Sequence, residues 1–106
     1  MEQRDTGRVI KRLFVRFGKG VPENIGFTGD VSPTGIFIKT NAVFEPGALL
    51  SIELTLPNDR VVNLNGRVMW AKRVPPNLIR FIKKSGMGIR LDQVPDDYHQ
   101  FFKALR

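Results

Sequence analysis

Residues 50–72 read LSIELTLPNDRVVNLNGRVMWAK, and this stretch decides the fold. Apolar side chains occupy every second position of residues 50–56, which is the period of a strand with one buried face. The Pro-Asn-Asp at residues 57–59 is a turn signal. A second, longer alternating run follows over about residues 60–72. The stretch therefore predicts two strands joined by a turn.

The second of these strands carries one apolar face with an interruption. Val62, Leu64 and Val68 alternate with other residues, and Trp70 has the same parity. This parity predicts that Trp70 lies in the core. Gly66 breaks the apolar series and is predicted to be a bend or bulge, because glycine weakens the interior of a strand.

The rest of the chain adds four strands and a helix. The same alternation predicts strands over residues 12–17, 25–27, 35–40 and 87–91. Only the tail has helical spacing, with apolar residues at i, i+3, i+4 and i+7: Tyr98, Phe101, Phe102 and Leu105. The pattern predicts an all-β fold, a small six-stranded antiparallel β-barrel with a C-terminal α-helix over about residues 95–106.

The composition excludes several classes of function. The chain has 106 residues, no Cys and one His, which excludes disulfides, thiolate metal sites and cysteine nucleophiles. His99 is predicted on the polar side of the helix, and Ser32 has no activating base near it in sequence. We therefore expect no catalytic residue, no metal site and no enzymatic activity. The sequence has neither an apolar run of about 20 residues nor a signal peptide, so we expect a cytoplasmic protein without membrane insertion.

The charge points to an anionic partner. Lys and Arg exceed Asp and Glu by 17 to 10, which gives a net charge of +7. The excess is uneven, because residues 60–91 contain eight basic residues and no acidic one. A positive field with a direction favours the capture of an anion.

The segment at residues 29–35, Gly-Asp-Val-Ser-Pro-Thr-Gly, has two interpretations. It is explained as an ordinary strand connection, because Asp, Ser, Pro and Gly all favour turns. It is also explained as a binding segment. Asp30 and Ser32 would then present hydrogen-bonding oxygens, and Gly35 would let a ligand or a neighbouring strand approach closely.

Arginines recur at every fourth position of the N-terminal region: Arg4, Arg8, Arg12 and Arg16. Residues four apart share a strand face, so Arg12 and Arg16 are predicted to form the solvated outer face of the first strand. Arg4 and Arg8 precede that strand, in a tail without an apolar pattern. No structural requirement explains them there.

Together these two segments resemble the PilZ domain family. The family signature is Arg-x-x-x-Arg before the first strand and Asp/Asn-x-Ser-x-x-Gly between the second and third strands. In this chain Arg4 and Arg8 precede the first strand. The second motif follows in order at Asp30, Ser32 and Gly35.

The resemblance covers nearly the whole chain. Residues 66–70, GRVMW, and residues 86–91, GMGIRL, are similar to late barrel strands of the family, and a terminal helix follows. The arginine motif has one competing register, in which Arg8 and Arg12 are the functional pair.

The resemblance implies a receptor for cyclic di-GMP that needs no other cofactor. It implies five ligand-binding residues: Arg4, Arg8, Asp30, Ser32 and Gly35. It further implies a flexible tail over residues 1–12 that closes on the ligand, and a barrel with its helix over residues 13–106.

The resemblance also implies a protein partner in motility, adhesion or exopolysaccharide machinery. Only three residues precede Arg4, so we expect a stand-alone receptor or adaptor without an output domain. Gln3 stands where many members have another arginine, at a position linked to how many ligand molecules bind. The stoichiometry therefore stays open.

Two alternatives remain from the sequence. One is an interaction module of the same fold without a ligand, which would dock through the loop at residues 75–84 and its apolar side chains: Leu78, Ile79, Phe81 and Ile82. The other is a barrel for single-stranded nucleic acid, with residues 60–91 as a basic groove and Trp70 as a stacking platform. The predicted burial of Trp70 makes nucleic acid the less favoured partner.

Overall fold

The computed structural model describes residues 7–75 and 85–105 of the chain. Among these residues it has seven strands and one helix: β1 (Val9–Ile10), β2 (Phe14–Gly18), β3 (Asn24–Ser32), β4 (Gly35–Lys39), β5 (Leu49–Thr55), β6 (Val61–Lys72), β7 (Gly86–Asp92) and α1 (Asp96–Ala104). The six predicted strands and the predicted helix are all present, and β1 is an additional element. The apolar loop side chains at positions 78–82 lie outside the described residues.

Strands β2 to β7 close into an antiparallel barrel. The order of pairing is β3-β2-β5-β6-β7-β4, and β3 also pairs with β4, which completes the ring. The predicted six-stranded barrel with a C-terminal helix is therefore confirmed. The barrel closes because each strand has one apolar face to bury, and closure leaves none of the six with a free edge.

The core lies inside this ring and beneath the helix. Alternate residues of β2, β5 and β6 are buried, as their period-two patterns predict. Helix α1 packs against the same core through Tyr98 and Phe102, which are both nearly inaccessible to water. His99 is exposed, as predicted from its place on the helix.

A buried threonine fixes the segment between β1 and β2. Both strands pair with β3, with β1 near its end and β2 near its beginning. Between them, the hydroxyl of Thr28 donates a hydrogen bond to the Lys11 carbonyl at 2.6 Å. The same hydroxyl accepts one from the Leu13 amide at 2.9 Å. These bonds satisfy backbone groups where the strand pairing is interrupted.

The structure overturns two predictions about β6. Gly66 pairs in regular register with Leu50 and Leu91, so it is not a bulge. The irregularity lies later, where the register against β7 shifts between Val68 and Trp70. This shift adds one residue to β6 and reverses the parity beyond it. Trp70 is consequently 48% exposed on the outside of the barrel instead of buried in the core.

Candidate functional site

An ion pair joins the N-terminal arginine motif to β3. Arg8 Nη1 donates a hydrogen bond to Asp30 Oδ1 at 2.8 Å. The two side chains are 50% and 21% exposed, so solvent screens their attraction. The bond therefore orients Arg8 more than it stabilises the fold.

Asp30 faces outward because of a second bulge. The register of β3 against β4 shifts between Thr28 and Asp30. Thr28 and Val31 are both buried although they are three residues apart, which regular alternation forbids. The extra residue turns the Asp30 side chain away from the core.

A tight turn carries the other two motif residues. Ser32 ends β3, Gly35 begins β4, and the two are directly paired. Ser32 Oγ donates a hydrogen bond to the Gly35 carbonyl at 3.2 Å. A side chain at Gly35 would place its Cβ 2.8 Å from the Ile89 carbonyl oxygen. Glycine is therefore required for the close approach of β4 to β7.

The helix supports this turn from inside. The Tyr98 hydroxyl donates a hydrogen bond to the Ser32 carbonyl at 2.6 Å. Burial raises the pKa of the Tyr98 hydroxyl far above its ordinary value, and the negative charge of Asp30 adds to the increase. Tyr98 therefore remains protonated as a hydrogen-bond donor at neutral pH.

The strand registers place two rows of side chains on the outside of the barrel. Ser32 pairs with Gly35, Gly35 with Arg90, and Arg90 with Arg67. We call these four residues the motif row. Because directly paired residues share a face, all four positions lie on one outer surface.

The second row lies beside the first. Asp30 pairs with Phe37, Phe37 with Gly88, and Gly88 with Trp70. We call these four residues the aromatic row. The Phe37 and Trp70 rings are stacked, with centroids 5.3 Å apart and an angle of 19° between the planes. The indole lies directly over Gly88, where a Cβ would collide with it.

A cavity of about 450 Å³ opens over these rows. Members of both rows line it, together with a residue of the β3–β4 turn, neighbours on β4, β6 and β7, and the arginine from before β1: Arg8, Ser32, Thr34, Gly35, Ile36, Phe37, Met69, Trp70, Gly88, Ile89, Arg90 and Leu91. The cavity thus combines cationic, hydroxyl and flat aromatic groups. This set of groups suits an anion that carries a planar ring.

The structure brings together four of the five residues chosen from the sequence. Arg8, Ser32 and Gly35 line the cavity, and Asp30 is bonded to Arg8. Arg4 lies outside the described residues. Arg12, the alternative partner in the arginine motif, places its guanidinium over the Phe27 ring at 4.1 Å from the centroid.

Among the cavity residues that were not chosen as site residues from the sequence, three have aromatic or cationic side chains: Phe37, Trp70 and Arg90. Phe37 and Arg90 were treated as ordinary strand positions, and Trp70 was predicted in the core. The bulge that exposes Trp70 has no proline or glycine at its position to signal it. Gly88 is the one residue in the sequence that indicates this arrangement. A glycine opposite a tryptophan has no side chain, and it therefore leaves room for the indole ring to lie flat on the neighbouring strand.

The described residues contain no cluster of three or more His, Cys, Asp or Glu side chains that could hold a metal ion. No helix of residues 7–75 and 85–105 is long and apolar enough to cross a membrane.

Comparisons with known proteins place the chain in a family. The solved structure of the Bacillus subtilis Inhibitor of motility (MotI/DgrA) superposes with a TM-score of 0.77 at 17% identity, over 98% of this chain and 49% of that one. The chain therefore spans about half the length of that protein, and the likeness shows a shared fold. No curated protein matches the chain. The family model of the PilZ domain matches residues 2–105, and the chain therefore belongs to the PilZ domain family.

Proposed function

We propose that the chain is a receptor for cyclic di-GMP that signals to a protein partner. The observation that carries this proposal is the cavity in which Arg8, Ser32 and Gly35 meet the exposed ring of Trp70. Cyclic di-GMP is a dianion with two guanines, so it needs cationic donors for its phosphates and flat surfaces for its bases. The cavity offers both kinds of group within one volume.

Each group has a defined role in the proposal. The Arg8 guanidinium binds a phosphate or the O6/N7 edge of guanine in bidentate fashion. Asp30 keeps this guanidinium directed at the cavity and accepts hydrogen bonds from guanine N–H groups. Trp70 stacks on one guanine. Each charge-assisted bond contributes about 1.5–3 kcal/mol, and each stacked base about 1–3 kcal/mol.

The tail supplies the signal. Residues 1–12 include Arg4 and Arg8, and we propose that the part before β1 closes over the bound ligand, because Val9 and Ile10 already pair with β3. The rearranged tail and barrel surface then form the contact with a partner. The structural neighbour is an inhibitor of motility, and this likeness favours a partner in motility machinery. We propose that the protein acts in the cytoplasm as a receptor and adaptor, without a catalytic step and without a cofactor.

A second candidate function has a specific observation in its favour. Trp70 is exposed next to arginines on two strands, and this arrangement also suits the stacking of bases of single-stranded nucleic acid. The paired Arg8 and Asp30 favour the cyclic dinucleotide, because a carboxylate beside the cavity repels a continuous phosphate backbone and accepts guanine N–H groups.

The test is a calorimetric titration of the protein with cyclic di-GMP, GMP and a short single-stranded DNA. Because Trp70 is the chain's one tryptophan, intrinsic fluorescence reports on the same cavity. Saturable heat and a fluorescence change with cyclic di-GMP, and much weaker effects with GMP, support the proposal. Binding of DNA without a response to cyclic di-GMP selects the second candidate and contradicts the first.

A further inference from the structure

The far end of the motif row carries two arginines that the PilZ motifs do not include. Arg90 is paired directly with Gly35, and Arg67 directly with Arg90. Neighbouring strands are separated by about 4.8 Å, so the row continues for roughly 10 Å beyond Gly35. Arg67 and Arg90 thus extend the surface on which the motif begins.

These two arginines face each other across β6 and β7. Directly opposed side chains have Cβ atoms about 5 Å apart, and like charges at this distance oppose folding. Among the described residues, no carboxylate lies within ion-pair distance of either guanidinium. Asp92 follows Arg90 by two residues along β7 and lies opposite Asn65 in the register, and it forms no ion pair with either arginine.

The pair adjoins the cavity of the proposed ligand. Arg90 lines it, and so does Met69, two residues from Arg67 along β6. Gly35 adds no side chain between Arg90 and the centre of the cavity, whereas the Trp70 indole lies over Gly88. An anion in the cavity can therefore approach the Arg90 guanidinium over Gly35, and Arg67 is the next residue of the row.

We propose that Arg67 and Arg90 form a second anion subsite, which binds the phosphate of the dinucleotide that Arg8 does not hold. The identity of this ligand rests on the proposed function, whereas the phosphate chemistry of the subsite does not. Two guanidinium groups present parallel N–H donors to a phosphodiester. The bound charge also removes the repulsion that the pair experiences in the free protein.

The first test measures cyclic di-GMP affinity in Arg67→Gln and Arg90→Gln. Each variant is expected to bind about tenfold more weakly, the loss typical of one charge-assisted bond. Arg16→Gln is the matched control, because it removes the same charge from an exposed strand position on β2. It is expected to change the affinity less than twofold. Equal affinities in all three variants overturn the subsite.

A second test separates the subsite from the proposed function. Inorganic pyrophosphate is added to the wild type and the same variants, and the melting temperature is measured. Without the anion, Arg67→Gln is expected to melt above the wild type because the repulsion is relieved. With it, the wild type and Arg16→Gln gain stability, and Arg67→Gln and Arg90→Gln do not.

The two tests have distinguishable failures. If the wild type responds to pyrophosphate through the pair and ignores cyclic di-GMP, the subsite stands and the proposed function is wrong. If cyclic di-GMP binds and the pair variants behave as Arg16→Gln does in both measurements, the proposed function stands and the subsite is wrong. If a single-stranded oligonucleotide depends on the pair and the dinucleotide does not, the dinucleotide assignment of the subsite is overturned.

Discussion

Two outer faces of this barrel combine aromatic rings with arginines, and they differ in how open these groups are. On the face of the motif and aromatic rows, Phe37 and Trp70 stack beside a cavity lined by Arg8 and Arg90. On the face formed by β2 and β3, Phe14 and Phe27 are directly paired and meet edge to face at 5.8 Å.

On the second face, the arginines interact with other residues of the chain. The Arg12 guanidinium lies over the Phe27 ring, and Arg16 donates a hydrogen bond to the Pro22 carbonyl and lies 3.9 Å from Glu53. On the first face, Arg67 and Arg90 have no carboxylate partner among the described residues. Similar residue types therefore contact one another on the β2–β3 face and line an open cavity on the other, which we call the open face.

The largest expected difference between the faces concerns their carboxylates. Asp30→Ala is expected to weaken cyclic di-GMP binding about a hundredfold, because it removes a charge-assisted bond to Arg8 and an acceptor for guanine. Glu53→Ala, which removes the carboxylate near Arg16, is the matched control and is expected to leave the affinity unchanged. Calorimetry on both variants measures this, and equal losses contradict the distinction between the faces.

The arginine register offers a second comparison. Arg8→Ala is expected to lower the affinity by a factor of about 10–100, as the loss of a charge-assisted pair predicts. We expect a loss for Arg4→Ala as well, and none for Arg12→Ala, whose side chain lies on Phe27. Calorimetric titration decides the register. Loss in Arg12→Ala with full affinity in Arg4→Ala assigns the motif to Arg8 and Arg12 instead.

The third comparison of the two faces concerns their aromatic rings. Trp70→Ala removes one stacking surface, which is worth about 1–3 kcal/mol per base, and we expect roughly tenfold weaker binding. Phe27→Ala, an aromatic deletion on the β2–β3 face, is expected to have no effect on affinity. The affinities come from calorimetry, because Trp70→Ala removes the fluorescent reporter. A similar loss in both variants indicates a general effect of the substitutions on the fold.

The smallest effect concerns the support beneath the motif row. Tyr98→Phe removes the hydrogen bond to the Ser32 carbonyl, and we expect the free energy of unfolding to fall by about 1 kcal/mol. Urea unfolding at pH 8 measures this. Amide hydrogen exchange near Ser32 is expected to increase, because this bond holds the Ser32 carbonyl. Exchange near Phe14 is expected to be unchanged, because the bond does not involve that part of the sheet.

The same variant tests the ionisation of Tyr98. Burial raises the pKa of this hydroxyl above its ordinary value of 10.0, so ionisation is easier in the unfolded chain. The resulting stability is present below pH 10 and declines as the pH rises above it. The decline between pH 9 and pH 11 is therefore expected to be shallower in Tyr98→Phe. Parallel curves of unfolding free energy against pH for the wild type and Tyr98→Phe contradict the assignment of this decline to Tyr98.

The sequence predicted the parts of the fold that follow regular alternation. The barrel strands, the helix and the outward placement of Arg12 and Arg16 follow from the period of apolar residues, because burial of one face imposes that period. Asp30, Ser32 and Gly35 were singled out by the residue types of their segment, and the family resemblance then favoured its interpretation as a binding segment.

The open face itself was beyond this kind of prediction. Bulges in β3 and β6 place Asp30 and Trp70 in the same row, and a bulge depends on the pairing of two strands rather than on local periodicity. The same reasoning explains the error for Gly66, whose residue type suggested a bulge that the pairing does not contain. The position of Arg67 opposite Arg90 likewise depends on strand register.

The most direct test of cyclic di-GMP binding on the open face is an NMR titration of ¹⁵N-labelled protein with the dinucleotide. We predict that chemical-shift changes concentrate at residues 30–35, Arg90 and the Trp70 indole N–H. The amide resonances of Phe14 and Phe27 are expected to keep their chemical shifts. Changes centred on the β2–β3 face, or no change at saturating dinucleotide, contradict the proposed site.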